Sequence, residues 1–192
     1  LIVPAMNQHM LENPATARNM EALKSYGYEI MEPDTGFLAE GYEGKGRMPE
    51  PEKIVGAAQL VVLNNAKELP LKGKKVLITA GGTKERIDPV RFISNDSSGK
   101  MGYSLAKAAR DLGAEVTLVT ATNQLPIPFG VESIYVQSSD EMESEVLDKF
   151  HNLDMVIMAA AVSDYRPKTQ ANVKIKKTNE DLTLVLEKTT DI

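Results

Sequence analysis

Two polar stretches hold most of the residues that could do chemistry. The first opens with Gly81-Gly82-Thr83-Lys84 and closes with Ser97-Ser98-Gly99-Lys100-Met101-Gly102. A glycine pair lets backbone approach a ligand closely, because no Cβ stands in the way. The closing residues sit where a helix should start. Free N–H groups and the positive dipole end of a helix start favour an anion, above all a phosphate. Ser97 and Ser98 also read as ordinary helix caps. The second stretch runs from Ala159-Ala160-Ala161 through Ser163-Asp164-Tyr165-Arg166 to Lys174-Ile175-Lys176-Lys177. Its small residues would let a flat ring lie against backbone. Asp164 suits ribose hydroxyls or a metal. Arg166, Lys174, Lys176 and Lys177 suit phosphates. The alternating lysines equally describe an exposed edge strand.

Two familiar phosphate motifs do not fit. A dinucleotide fingerprint needs G-x-G-x-x-G and an acid about 20 residues on. The turn here is Gly81-Gly82-Thr83-Lys84, and Val119-Thr120-Ala121-Thr122 has no carboxylate. A Walker loop needs G-x-x-x-x-G-K-[ST]. Ser94 stands at its first glycine, and Met101 follows Lys100. The pattern is a phosphate-capable site of another kind.

The elements around these stretches predict their setting. Lys75–Ala80, Glu115–Thr120, Ser133–Val136 and Met155–Ala159 read as strands, the first as a buried one. Helices are predicted from Lys100 to Leu112, ended by Gly113, and over Ser139–Phe150 with Ser139 as N-cap. Strands alternating with helices predict an α/β fold, a Rossmann-like parallel sheet with helices on both faces. Ligands in such sheets sit at the carboxyl ends of the strands, where both polar stretches fall. Gly81–Ser98 itself reads as one long loop.

Leu69–Gly73 reads as a linker, dividing the chain into 1–69 and 70–192. Before it, strands are expected at Leu1–Val3 and Tyr28–Met31. A helix should start at Asn13-Pro14, with Asn as N-cap, and end at Gly27. Gly36–Met48 reads as a glycine-studded loop. A further helix should begin at Pro49-Glu50 and turn Ile54, Val55, Ala58, Val61 and Val62 to one side.

Composition narrows the classes of function. A net charge of −5 without a basic block makes a poor nucleic-acid or membrane-surface binder, so a phosphate must be held by local geometry. The chain has no cysteine, which removes disulfides, thiolate metal sites and a cysteine nucleophile together. No stretch approaches the roughly 18 apolar residues of a membrane span. Leu1–Met10 reads not as a signal peptide but as a strand already under way. His9 and His151, the only histidines, are too far apart in sequence for metal-ligand spacing, and no metal ligand is assigned.

Taken together, three strings resemble the phosphopantothenate–cysteine ligase family. They are Gly81-Gly82-Thr83 with Ile87-Asp88-Pro89-Val90-Arg91, Ile93-Ser94-Asn95 with Ser97–Gly102, and Ala160–Pro167 with Lys174-Ile175-Lys176-Lys177. The first segment, through Pro4-Ala5-Met6-Asn7 and Gly46-Arg47-Met48, is similar to the C-terminal end of FMN-dependent phosphopantothenoylcysteine decarboxylases, a flavodoxin-like or Rossmann-like flavoprotein domain. The two activities are fused in many bacteria and archaea. The resemblance implies that the chain is a piece, lacking the decarboxylase front and the ligase back half.

The resemblance also implies a chemistry. The carboxylate of 4′-phosphopantothenate attacks the α-phosphate of CTP, with Mg²⁺, and cysteine then displaces CMP from the acyl-cytidylate. Lys174 would lie on a flap over the intermediate, and Asn95 would hold it. Gly81, Gly82, Thr83, Ser98, Gly99, Lys100, Ala160 and Asp164 would bind nucleotide. Arg91 and Ala161 would contact substrate or phosphate. Asn7 would touch the substrate carboxylate in the decarboxylase part, whose cofactor would be FMN. Many relatives carry a cysteine in a clamp loop where this chain has Ala39-Glu40-Gly41. Glu40 could supply the proton instead if burial raised its pKa, or be a surface residue. The family setting is cytoplasmic, with small-molecule substrates and a homodimer that assembles further through the flavin domain. Competing readings are a nicotinamide-dependent oxidoreductase and a non-catalytic flavoprotein subunit. The first lacks its acid after the second strand, and the second should have lost Asn95 or Lys174.

Overall fold

A computed structural model describes residues 1–65, 69–177 and 181–192. The chain divides into two compact units, Leu1–Lys67 and Glu68–Ile192.

In the first unit, Asn7 and Asn13 start two helices. Their side-chain oxygens accept from the N–H groups of His9 and Ala15, at 2.8 and 2.9 Å. The helices are α1 (Gln8–Leu11) and α2 (Pro14–Ser25). Pro14 occupies the first turn, where its missing N–H costs nothing. Gly27, at φ +87°, follows the end of α2. The strands expected at either end of this stretch reduce to one parallel bridge, Ile2 with Ile30.

The stretch expected as a loop is an antiparallel hairpin of β1 (Asp34–Phe37) and β2 (Glu43–Arg47). Gly36, Gly44 and Gly46 are strand residues that admit close neighbours. A Cβ on Gly46 would stand 1.9 Å from the Met6 carbonyl oxygen. The Met6 N–H donates to the Gly46 carbonyl at 3.0 Å. Helix α3 (Pro51–Asn64) starts two residues later than Pro49, with Glu50 as N-cap. Gly56 and Ala57 are its buried residues, while Val55 and Val62 are exposed.

The second unit is built on a buried parallel sheet. In chain order its elements are β3 (Lys75–Ala80), β4 (Lys84–Arg86), β5 (Phe92–Ser94), α4 (Lys100–Asp111), β6 (Glu115–Thr120), β7 (Glu132–Tyr135), α5 (Ser139–Phe150), β8 (Met155–Ile157), β9 (Tyr165–Pro167) and β10 (Leu186–Lys188). Four strands pair in parallel in the order β7-β6-β3-β8. Strand periodicity sends alternate side chains to opposite faces. Val76, Ile78 and Ala80 pack with Tyr103, Ala106 and Ala109 of α4. Leu77 and Val119 pack with Met142 and Val146 of α5. The helices therefore cover both faces, as a Rossmann-like sheet requires.

Four readings change here. The stretch after β3 is not one loop, because β4 and β5 form an antiparallel ribbon. β9, in the second polar stretch, pairs with β10. The N-cap of α5 is Ser138, whose Oγ accepts from the Glu141 N–H at 3.2 Å. Ser139 is instead buried, and its N–H donates to Glu85 Oε1 at 2.9 Å. The supposed linker belongs to the second unit, where the Leu71 N–H donates to the Leu112 carbonyl at 2.9 Å.

Gly102 is where α4 meets β3. A Cβ there would stand 2.6 Å from Ala80 Cβ and 2.7 Å from the Thr79 carbonyl oxygen. Gly102→Ala is expected to lower stability by about 1–3 kcal/mol. The measurement is urea unfolding with an unchanged slope, and a wild-type midpoint would show that the helix shifts without cost.

Candidate functional site

The strand order reverses between β3 and β8, which is where an open α/β sheet leaves a crevice for a ligand. Both polar stretches leave from these two strands. β3 and β8 pair up to Ile78 with Ile157, part, and pair again at Gly82 with Ala161. The Ala161 N–H donates to the Gly81 carbonyl at 2.8 Å, and the Thr83 N–H to the Ala161 carbonyl at 3.3 Å. In the gap, the N–H groups of Ala159 and Ala160 both donate to Thr79 Oγ1 at 3.0 Å. Beyond it, Thr83 Oγ1 accepts from the Ser163 N–H at 2.9 Å and lies 3.3 Å from Ser163 Oγ. Thr83 is fully buried, so its side chain pins the two loops together instead of facing a ligand.

The glycines make the crevice narrow. Gly81 has φ +84° and Gly99 φ +75°, a region that favours glycine. A Cβ on Gly81 would stand 3.0 Å from the Thr122 N, and one on Gly99 would stand 2.7 Å from Thr122 Cγ2. Thr122 is held in turn by Tyr103, whose hydroxyl donates to its carbonyl at 3.0 Å. Gly81, Gly99 and Thr122 thus form one backbone-lined wall. Gly99 is the N-cap of α4 and offers no side-chain cap. Ser98 Oγ accepts from the Lys100 N–H only at 3.4 Å, as Ser97 Oγ does from Gly99. These long bonds leave the helix start open to an anion.

Asn95 joins the same edge. Its Nδ2 donates to the Val162 carbonyl at 3.0 Å, while the residue stays exposed. Asp164, Lys100, Lys174, Lys176 and Lys177 are exposed, and Ala160 and Ala161 are half-buried. Residues 173–177 form no strand, so the alternating lysines do not mark an edge strand.

Several of the expected residues have partners within the fold. Arg91 Nη1 lies 3.3 Å from Asp88 Oδ2, and its Nη2 donates to the Ile175 carbonyl at 2.8 Å. Arg166 pairs with Asp140 and, at 3.0 Å, with Glu187, so its charge is balanced within the fold. In the first unit, Glu40 is exposed in the hairpin turn. Asn7 uses Oδ1 to cap α1. His151 is the C-cap residue of α5 and exposed, while the His9 ring lies 6.4 Å from that of Tyr42.

Asp88 is the residue that motif reading passed over. Burial pushes its carboxyl up, but N–H donors from Val90, Ile175 and Arg91 and the Arg91 charge outweigh this and hold it below the ordinary 3.8. The only sequence hint was its place inside the Ile87–Arg91 string.

This chain matches the family model for the DNA/pantothenate metabolism flavoprotein C-terminal domain over residues 71–192. It matches the flavoprotein model over residues 1–62. A Bacillus subtilis (strain 168) protein named coenzyme A biosynthesis bifunctional protein CoaBC is 49% identical, over 100% of this chain and 47% of that protein. A protein of an unknown prokaryotic organism, named cysteine/cysteine sulfinic acid decarboxylase, is 47% identical over 100% of this chain and 54% of its own length. The chain thus spans about half the length of the curated relatives it matches. Among solved structures, the C-terminal domain of a coenzyme A biosynthesis bifunctional protein CoaBC is 46% identical, with a TM-score of 0.56 over 65% of this chain and 58% of that one.

Two outcomes test this geometry. Thr79→Val removes the acceptor for two N–H groups and is expected to cost about 1–3 kcal/mol in a urea titration; no change would mean that water replaces the hydroxyl. A depressed carboxyl stabilises above its ordinary value, and that stability fades as pH falls through the native value. The difference in Tm between the wild type and Asp88→Asn should hold steady from about pH 7 to 5 and shrink below about pH 4. A pH-independent difference, followed by circular dichroism, would contradict it.

Proposed function

Because this chain belongs to the DNA/pantothenate metabolism flavoprotein family, we propose that it is part of a bifunctional enzyme of coenzyme A biosynthesis. In this reading the second unit is the front of a ligase that joins 4′-phosphopantothenate to cysteine, driven by CTP. The first unit belongs to an FMN-dependent decarboxylase acting on the product. The observation that carries the ligase reading is the crevice at the sheet's reversal point. Two glycines, an uncapped helix start and a backbone-pinned Asn95 meet there. The names of the relatives support the pathway.

The chemistry follows from the need for a better leaving group than hydroxide. The substrate carboxylate attacks the α-phosphorus of CTP, the bond to the β-phosphate oxygen breaks, and pyrophosphate leaves. The amine of cysteine then attacks the acyl carbon, CMP departs, and the amine proton is lost. The N–H groups at Gly99 and Lys100 would receive phosphate oxygens. Gly81, Gly82 and Ala160 would let the nucleotide lie close to backbone, and Asp164 would take ribose hydroxyls. The Asn95 amide both donates and accepts, so it can hold the intermediate without adding charge. Lys174 would bring positive charge to the phosphoryl oxygens as they gain negative charge.

Among the described residues no three His, Asp or Glu side chains gather to hold an ion. Mg²⁺ in this reading arrives on the triphosphate. FMN is proposed from the flavoprotein match over residues 1–62. The polar side chains of Asn7 and Gln8 already have partners in the fold: Asn7 Oδ1 accepts from the His9 N–H, Gln8 Oε1 accepts from the Lys45 N–H, and Gln8 Nε2 donates to Glu12. No helix among the described residues is long and apolar enough to cross a membrane. The proposal adds a cytoplasmic setting and a homodimer that assembles further through the flavin unit.

The test incubates the intact protein with CTP, 4′-phosphopantothenate and cysteine, with ATP as comparison. Mass spectrometry should find the acyl-cytidylate, CMP and pyrophosphate, and absence of all three would refute the ligase reading. Lys174→Gln is expected to lower turnover about 100-fold or more with the circular dichroism spectrum unchanged. Wild-type turnover in that variant would remove Lys174 from the mechanism.

A further inference from the structure

Asp88 makes more hydrogen bonds than its own turn requires. It is fully buried. Oδ1 accepts from the N–H groups of Val90 and Arg91, both at 2.8 Å, and these bonds suffice to shape the turn between β4 and β5. Oδ2 faces elsewhere. It accepts from the Ile175 N–H at 3.1 Å and lies 3.3 Å from Arg91 Nη1. Arg91 Nη2 then donates to the Ile175 carbonyl at 2.8 Å. One carboxylate and one guanidinium therefore hold both backbone polar groups of a single distant residue. A third bond, from the Ala171 N–H to the Ile87 carbonyl at 2.9 Å, ties the same two stretches together.

The residue held this way is flanked by Lys174 and Lys176, both exposed, and the segment 173–177 has no strand or helix to order it. A lysine is a point charge on a flexible stem, so the backbone decides where it can act. We propose that Asp88 is a positioning residue: with Arg91 it fixes the backbone of Ile175 and thereby sets where Lys174 is presented to the bound nucleotide. This rests on the reading of Lys174 given above. Burial makes the clamp effective, since a carboxylate shielded from water holds its donors in one geometry and competes with no solvent. A displacement of about 1 Å at a reacting centre can cost about 100-fold in rate. A clamp on the neighbouring backbone is thus enough to matter without touching substrate.

Asp88→Asn separates the two jobs of the side chain. Its carbonyl oxygen can keep the Val90 and Arg91 bonds, while its amide meets the Ile175 N–H donor to donor. The test is a double-mutant cycle in the intact protein, with turnover and nucleotide KM measured for Asp88→Asn, Lys174→Gln and the pair. Asp88→Asn should lower kcat about 10-fold or more with faster amide exchange at Ile175, and should lower it no further when Lys174 is already Gln. Multiplying effects in the pair, or unchanged kcat in Asp88→Asn despite faster exchange, would overturn the proposal while leaving Lys174 its role. Wild-type turnover in Lys174→Gln would instead overturn the underlying reading, and this proposal with it. If Asp88→Asn does not fold, Arg91→Lys serves in the same cycle. It keeps the charge and the Asp88 turn but cannot fork to both Asp88 and Ile175, and the same two outcomes decide.

Discussion

The hydroxyl of Thr79 is the contact on which the carboxyl edge of the sheet depends. Two parallel strands cannot open a crevice between them without stranding amides that the ladder would have used. Here β8 leaves the ladder after Ile157, and the amides of Ala159 and Ala160 turn to a single side-chain oxygen on β3. A buried amide without a partner costs about 1–3 kcal/mol, so this one atom makes the parting tolerable. The rest of the site is arranged around the opening. Thr83 and Ser163 close its far end, Asn95 hangs from Val162, and Gly81 and Gly99 bring backbone against Thr122.

Charge is handled in the same local way. The chain is acidic overall, yet its arginines near the site are internally committed. Arg166 bridges Asp140 and Glu187, and Arg91 bridges Asp88 and Ile175. Their work is to hold loops, because a planar guanidinium with several fixed donors suits two partners at once. In the proposed reading, attraction for an anion then falls to the backbone N–H groups at the start of α4 and to the lysines.

The parts of this arrangement differ in how legible they are from sequence. β3 and β6 could be read residue by residue, since KVLITA and EVTLVT are apolar, β-branched runs bounded by turn residues. That both polar stretches leave the carboxyl ends of strands followed from the alternation of strands and helices. The ribbons β4/β5 and β9/β10 could not be read, because strands of three residues are too short to carry a periodicity. Gly44 and Gly46 looked like loop formers, yet they lie in a strand that another segment approaches too closely for a side chain. The bond from Arg91 to Ile175 could not be read either, because Ile175 is distant in sequence and contributes only backbone. Bonds to backbone leave no trace in residue type.

The register across the crevice has a consequence for how such chains can vary. Ile78 pairs with Ile157 and Gly82 with Ala161 in one unbroken count, although the strands part in between. A one-residue insertion in either loop alone would move every downstream partner by one and turn inward-facing side chains outward. Length changes between Ile78 and Gly82 are therefore tied to equal changes between Ile157 and Ala161. Two segments far apart in the chain are bound to keep a common length, even where their residue types are free to drift.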